Sequence, residues 1–548
     1  MQTRAFQRFL ILLGLILINS TLSFAQTPES SPQPQELIRR LLIYGKVVRS
    51  DGTVAQKKDG SFAESYVLVE NGVIQSVSRT RPSLKNKKGL RFLHTNGYIY
   101  PGLIDLHTHM TYNIMPVWKG AQSQFSNRFE WRKDEDYRNN FRTTYKALNI
   151  PEFKIGLLLY DEIQALAGGT TLIQESGILD SESKDATQRL VVRGTDFESD
   201  LELNNGKKIV SSFEIFEPKA NGTVVAKDAL DSFNKRRSED KIQSYIVHLA
   251  EGRTGFLRDH GFDPLCRTEF EALMAHPYFS DPANTPRPPI GLIHSSGIDP
   301  QSDAHISFLN TWNMGIVWSP VSNLLLYGDT LDIETLLKKG VPVALGSDWS
   351  PSGSKHVLDE ARMARFYLDQ IKAHVSDKEI FQMMTTNAAK MIGHPKLGEI
   401  KPGNLADFFI LEDPNPNYSP MESLFETDVQ YIVAVIIRGR AVYGYDEYVR
   451  KLEPDVQLLP QIEGEPVRNK VVYMDPVLNL NLEETLGKME AHLKTLGVYR
   501  NNLLTSTDRP YQERMFQLQQ MIHTNFFLPK LKIQDPPVKP EDDKKEEQ

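Results

Sequence analysis

From Leu41 to Thr80 the apolar positions fall in short, strand-length blocks. Leu42–Val48 and Tyr66–Glu70 are rich in β-formers, and Glu70-Asn71-Gly72 supplies a turn before Val73–Val77. This pattern predicts a small antiparallel unit. Further along, the rhythm changes to brief apolar runs separated by longer stretches of helical periodicity. Eight such runs are Leu103–His109, Thr170–Gln174, Leu190–Val192, Ile209–Phe213, Tyr245–Leu249, Gly291–His294, Gly315–Trp318 and Val343–Gly346. Ile155–Ala167 and Asp359–Ala373 are the clearest intervening helices. Buried runs alternating with helices argue for parallel βα units, and eight of them for an α/β fold of the (β/α)8 TIM-barrel type.

After Pro402-Gly403-Asn404, strand character returns over Ala406–Leu411 and Val429–Tyr443, with a turn at Arg438-Gly439-Arg440. These segments are expected to join the N-terminal strands in a small β-sandwich domain formed from both flanks of the barrel. The expected divisions are 38–100 and 403–447 for the two parts of that domain and 101–402 for the barrel. A C-terminal extension over 448–533 follows, with helices predicted at Leu482–Leu496 and Tyr511–Ile522. The last residues, 534–548, form a charged, Pro-containing tail that is expected to be disordered.

The first 25 residues stand apart. Arg4 and Arg8 precede the apolar run Phe9–Ile18, and Ser23 and Ala25 place small residues at the −3 and −1 positions before Gln26. That is the layout of a cleavable export signal over 1–25, with a Pro/Ser/Gln-rich linker over 26–37. The run is shorter than the about 20 residues a bilayer span needs, so no stable membrane span is expected after cleavage. The predicted location is periplasmic or extracellular.

Composition narrows the chemistry. The chain has 548 residues with 40% hydrophobic and 24% charged, normal for a globular protein. Its net charge of −7 comes without a basic stripe, so a nucleic-acid partner is not expected. A single cysteine, Cys266, excludes an internal disulfide and any cysteine-rich zinc site.

The strongest chemical signal is Pro101-Gly102-Leu103-Ile104-Asp105-Leu106-His107-Thr108-His109. Alternate residues of a strand share a face, so His107 and His109 project together. Two neutral imidazoles so placed can hold one metal ion. His248 ends the fifth run, His294 the sixth, and Asp348 follows the eighth. In a barrel of this type the C-terminal strand ends carry the reactive groups, so these five side chains converge on one mouth.

PGLIDLHTH, His248-Leu249-Ala250-Glu251, Ser319-Pro320-Val321-Ser322-Asn323 and Leu345-Gly346-Ser347-Asp348 together resemble the amidohydrolase superfamily, and within it the triazine hydrolase and nucleobase deaminase branch. Thr386–Lys390 and Leu397–Phe408 resemble its closing signature. The resemblance implies that His107, His109, His248 and Asp348 ligate a divalent metal and that Asp348 also takes a proton from water. It implies that His294 hydrogen-bonds the attacking oxygen or the developing oxyanion, and that Glu251 shuttles protons to the leaving nitrogen. A mononuclear site is expected, with Zn2+ favoured and Fe2+ or Mn2+ compatible. Lysines stand only at the start of the fourth run, the wrong end for a bridging role; Glu175 and Glu214 near strand tops are the candidate bridges of a binuclear alternative.

The reaction implied is hydrolysis, by metal-activated water, of a non-peptide C–N bond in a small amide, cyclic amide or amidine. A heterocycle deaminase releasing ammonia and a metal-dependent dipeptidase are the alternatives within enzymes. An inert barrel used for binding should have lost ligands, whereas every expected ligand is present. Export is one departure from the branch, and the segment after His109 is another. Thr111–Pro151 is long and holds Trp118, Phe125, Phe129, Trp131, Tyr137 and Phe141, a pocket-shaping lid or an exposed insertion with its own core. Trp318 and Trp349 are further candidates for the pocket wall, and homo-oligomerisation is left open.

Overall fold

The computed structural model describes the chain from Arg39 to residue 518. Outside the description lie 1–38, 85–87, 110, 116–117, 119, 122–124, 175–190, 196–206, 213, 257–261, 282–283, 285–286, 460–468, 477–478, 498–515, 517 and 519–548. The export signal, the linker, the charged tail, the helix expected at Tyr511–Ile522 (two positions apart) and Glu175 therefore fall outside the described residues.

Strands β1 (Arg40–Val47), β2 (Ser65–Glu70), β3 (Val73–Ser78) and β4 (Leu90–Pro101) open the chain. Barrel strands follow: β5 (Leu103–Asp105), β6 (Thr170–Ile173), β7 (Arg193–Gly194) and β8 (Lys208–Ser212). A small hairpin, β9 (Phe216–Pro218) with β10 (Val224–Ala226), precedes the remaining barrel strands β11 (Ile242–Leu249), β12 (Ile290–His294), β13 (Met314–Trp318) and β14 (Val343–Leu345). The chain then gives β15 (Phe408–Leu411), β16 (Ile432–Ile437), β17 (Arg440–Tyr445), β18 (Val456–Leu458) and β19 (Lys470–Tyr473).

The barrel strands pair in parallel, β5-β6-β7 in one arc and β8-β11-β12-β13-β14 in the other. The arcs join where the Leu106 amide donates to Leu345 O (3.2 Å) and the Asp348 amide to His107 O (2.8 Å). Inside, Ile104, Leu172, Ile246, Ile293, Val317 and Ala344 are buried together, so the barrel centre is a packed core rather than a channel.

Two expectations change in detail. The third barrel strand lies at Arg193–Gly194, just past the apolar run that suggested it. Arg193 is fully buried because Asp407 accepts two of its guanidinium hydrogen bonds (Nη2 to Oδ1, 3.0 Å), and a charged strand residue hides from a search for apolar runs. Regular β5 stops at Asp105, although parallel pairing with the opposite arc carries the extended chain on to Thr108.

The flanking strands form one hydrogen-bonded sheet of nine, in the order β18-β19-β17-β16-β15-β4-β1-β2-β3. Here β4 runs parallel to β1 and antiparallel to β15, so the N- and C-terminal segments are knitted at its centre. The extension is less helical than expected, since its first part supplies β18 and β19. Its helix Leu482–Thr495 buries Leu482, Leu486, Met489 and Leu493 on one face. A Cβ at Gly156 of helix Lys154–Ala167 would lie 2.1 Å from Met489 Sδ, so that glycine admits the close crossing. No helix among the described residues is long and apolar enough to cross a membrane.

Candidate active site

The five side chains singled out from the sequence meet at one end of the barrel. His107 Nε2 is 3.0 Å and His109 Nε2 3.4 Å from Asp348 Oδ1. The His107 ring centroid lies 4.8 Å from that of His109, 4.4 Å from His248 and 5.1 Å from His294. His107, His248 and His294 offer nitrogens within 4.8 Å of one another, and so, with a carboxylate oxygen, do His107, His109 and Asp348. Backbone geometry aims them. His294 and Asp348 both leave their strands with φ near +60°, as does Ala250 between His248 and Glu251. For non-glycine residues that conformation costs on the order of 1–3 kcal/mol and clusters where function fixes it.

A second layer holds the first. Asp105 accepts from the His107 amide (3.2 Å), the Ser347 amide (3.0 Å) and the Ser347 hydroxyl (2.5 Å), tying the first strand end to the eighth. Burial raises its carboxyl to about 6 against those hydrogen bonds. Asn323 Oδ1 sits 3.0 Å from His294 Nδ1, so the ring can donate there and leave Nε2 facing the mouth.

Burial holds the His109 imidazole down to about 3, with the neighbouring His107 adding to the effect and Asp348 opposing it. Burial likewise drives His248 well below its ordinary value, and lowers His294 despite Glu251 and Asp348 nearby. For Asp348, burial favours the neutral acid, but the imidazoles of His107, His294 and His109 outweigh it and hold the carboxyl below the usual range. Imidazoles held toward the neutral form at His109, His248 and His294, beside a carboxylate held toward the ionised form, suit the binding of a divalent cation. The donor set therefore fits such an ion.

The cluster opens into a cavity of about 440 Å³. His109, His248, Glu251, His294 and Asp348 form its reactive wall. Tyr112, Trp131, Tyr137 and Trp349 form the apolar walls, and Trp131 stacks on Trp349 with centroids 5.3 Å apart. The insertion is thus a cavity wall, and Trp349 lines it as expected. Trp318 does not; it is buried, its Nε1 donating to Thr330 Oγ1 (2.7 Å).

Residues 293–442 match the amidohydrolase family. Over 405 residues the chain is 24% identical to a 5'-deoxyadenosine deaminase of Methanococcus maripaludis strain C7, spanning 69% of this chain and 90% of that one. It is 22% identical over 455 residues, 75% of this chain and 97% of the relative, to a 5-methylthioadenosine/S-adenosylhomocysteine deaminase of Carboxydothermus hydrogenoformans. Among solved structures, an adenosine deaminase from Xanthomonas campestris with bound zinc superposes with a TM-score of 0.53 at 16% identity, covering 83% of this chain and 98% of that one. An atrazine chlorohydrolase from Arthrobacter aurescens TC1 complexed with zinc gives 0.54 at 15%, covering 83% and 100%. Over residues 293–442 the chain thus matches the amidohydrolase family, and its fold is that of the zinc-bound structures above.

The insertion also grips the loop that carries Glu251. The Arg128 amide donates to Glu251 O (3.1 Å) and the Arg253 amide to Ser126 O (2.9 Å). The Arg128 guanidinium forms a two-pronged ion pair with buried Glu269 (3.1 and 3.0 Å), and Glu269 Oε2 also accepts from the Ala250 amide (2.7 Å). At the carboxylate itself, Tyr327 donates to Glu251 Oε1 (2.5 Å) and accepts from Trp131 Nε1 (3.0 Å). The other oxygen, Oε2, lies 3.8 Å from His294 Nε2.

Tyr327, Arg128, Asn323 and Asp105 are contributions to which the sequence reading gave no role. Asp105, inside PGLIDLHTH, and Asn323, closing Ser319–Asn323, carried a local signal. Glu214 is engaged elsewhere: it pairs with Arg132 and with Lys227 Nζ (2.7 Å). Lys208, at the start of β8, is exposed. Neither supplies a bridge between two metals in this arrangement.

Proposed function

We propose that this chain is an exported, mononuclear metal-dependent hydrolase that cleaves a carbon–nitrogen bond, outside peptides, in a small amide, cyclic amide or amidine. The observation that carries the reading is the meeting of His107, His109, His248, His294 and Asp348 at a cavity that Glu251 also lines, with the His109 imidazole held toward its neutral form and the Asp348 carboxyl toward its ionised form. His107, His109, His248 and Asp348 are assigned as ligands, and zinc as the ion, since three imidazoles and a carboxylate suit it and the zinc-bound structures above share the fold. When bound, the ion supplies Lewis-acid activation of water near neutral pH.

The remaining work falls to the side chains. Asp348, ionised and facing the imidazoles, accepts the proton of the attacking water. His294, its ring oriented by Asn323, donates toward the oxygen that gains negative charge. Glu251, held by Tyr327 on one oxygen, delivers a proton to the departing nitrogen through the other. The dry aromatic walls strengthen each of these interactions.

Deamination of an amino-heterocycle is a second reading, favoured by Glu251 and by the deaminase activities named for the relatives; the two readings differ in whether ammonia leaves. Export rests on Arg4, Arg8, the Phe9–Ile18 run and Ala25. N-terminal sequencing of the protein recovered outside the cytoplasm tests it, Gln26 being the expected first residue.

For the reaction, elemental analysis of the native protein beside His107→Ala and Asp348→Ala is decisive. About one equivalent of metal in the native protein, lost in both variants, is expected. The loaded protein is then offered a panel of cyclic amides, amidines and amino-heterocycles with ammonia measured. Two equivalents, or metal kept by both variants, would overturn the ligand assignment.

A further inference from the structure

The same cavity has a second, oppositely charged side. Arg132 and Arg142, both from the insertion, also line it. The Arg132 guanidinium is spoken for by Glu214, which also pairs with Lys227 and has Arg128 Nε at 3.8 Å. Glu214 is thus shared by Arg132 and Lys227, while Arg128 is paired chiefly with Glu269. Arg142 has no carboxylate partner among the described residues, and its charge is felt by the Tyr137 hydroxyl, where it works against the rise that burial causes. Trp131 and Trp349, packed on each other with ring planes 29° apart, line the same cavity. The described lining offers no acidic group besides Glu251 and Asp348, both on the reactive wall.

We infer that the substrate carries an anionic group opposite its scissile bond, and that Arg142 receives it at the outer end of the cavity. This rests on the proposed hydrolysis at the metal pole. A guanidinium fork suits a carboxylate or a phosphate monoester, both of which it can engage through two parallel N–H donors. A planar apolar body then lies along the aromatic wall that Tyr112, Trp131 and Trp349 present to the cavity. The substrate class is accordingly an acidic amide or amidine with a ring or flat chain between its two ends. Arg142 acts as a specificity-determining residue rather than a participant in bond cleavage.

The test uses matched probes that differ in charge but little in shape, indole-3-acetate and indole-3-acetamide, with phenyl phosphate as the phosphate arm. Binding to the metal-loaded protein is measured by calorimetry at low and moderate salt. The acid should bind roughly tenfold or more tightly than the amide, as for one charge-assisted hydrogen-bonded contact. Added salt should narrow the gap, Arg142→Gln should abolish it with metal content unchanged, and Arg142→Lys should restore part of it. Tighter binding of phenyl phosphate than of the acid would assign the anion as a phosphate ester. Equal binding of acid and amide, or a gap that survives Arg142→Gln because the carboxylate has gone to the metal, would overturn the inference. The two readings fail separately: a charge gap without metal in the native protein sinks the hydrolase, and metal without a gap sinks only the anion site.

Discussion

The two sides of the cavity are built by different means. The reactive wall rises from strand ends: each ligand follows a buried parallel strand, and Asp105 locks the first end to the eighth through Ser347. The facing wall comes mainly from one inserted segment of short helices, Arg128–Trp131, Tyr137–Phe141 and Arg142–Leu148. Yet the second wall is not a loose cover. Through Arg128, Glu269 and Tyr327 it fixes the loop from Ala250 to Arg253, and with it the carboxylate assigned to proton delivery. Chemistry that stays constant can reside on the rigid barrel, whereas an insertion can change the substrate only if it also keeps Glu251 in place.

The comparison can be broken most forcefully at its joint. Glu269→Gln leaves the Arg128 guanidinium buried without a full counter-charge, and should cost about 3–5 kcal/mol of stability. Urea titration measures this, and loss of tryptophan fluorescence before the main transition would show the insertion leaving first. A single coincident transition with no lowered midpoint would mean that the insertion is not held there.

On the barrel side, Gly346 is the sharper probe. A Cβ at this position would lie 2.4 Å from His107 Cβ and 2.8 Å from its amide nitrogen. Gly346→Ala touches no ligand atom but must push the first strand away, so metal affinity should fall about 10- to 100-fold. Competition against a chromogenic chelator reads this directly.

Acid sensitivity of the metal-free protein comes next. The unfolded chain's imidazoles take up protons below about pH 6.5, whereas folded His109 resists until about 3. Stability should therefore fall as pH drops through that window, by about 2 kcal/mol between pH 6.5 and 5 for His109 alone. His248 and His294 act in the same sense. Asp105, raised to about 6, takes up its proton in the folded state first and opposes the loss between pH 6 and about 4. Denaturation midpoints of chelated protein at pH 7 and pH 5 give the net sign; a midpoint that rises on acidification would contradict the burial of these rings.

The smallest effect is expected at Tyr327→Phe. Loss of the phenol removes one donor to Glu251 and should cost about 1 kcal/mol in stability. Turnover of any compound found in the panel should fall about tenfold with little change in KM, since the substrate's own contacts remain. A shift confined to KM would place Tyr327 in binding instead.

The unequal legibility of the two walls has a physical cause. Strand-borne ligands leave local marks, because alternation and strand ends fix where His107, His109, His248, His294 and Asp348 must point. The barrel strands were legible for the same reason, except at Arg193, whose charge is cancelled by a residue far along the chain. Tyr327 and Arg128 answer to partners brought near only by the completed fold, and nothing beside them in the sequence announces it. The strands at Val456–Leu458 and Lys470–Tyr473 were hidden too, since edge strands three or four residues long carry little periodicity.

The nine-stranded sheet also sets a timetable. Tyr98 on β4 donates to Tyr418 O, 320 residues away, and Tyr98–Pro101 at the end of β4 pair with β15. At about 5–20 residues per second of synthesis, roughly 15 to 60 seconds separate the appearance of these neighbours. Pairings of such long range also close slowly once both partners exist. For that interval the N-terminal strands have no C-terminal partners to complete their sheet, and the chain remains in a state that can still be threaded through a narrow passage before it closes on itself.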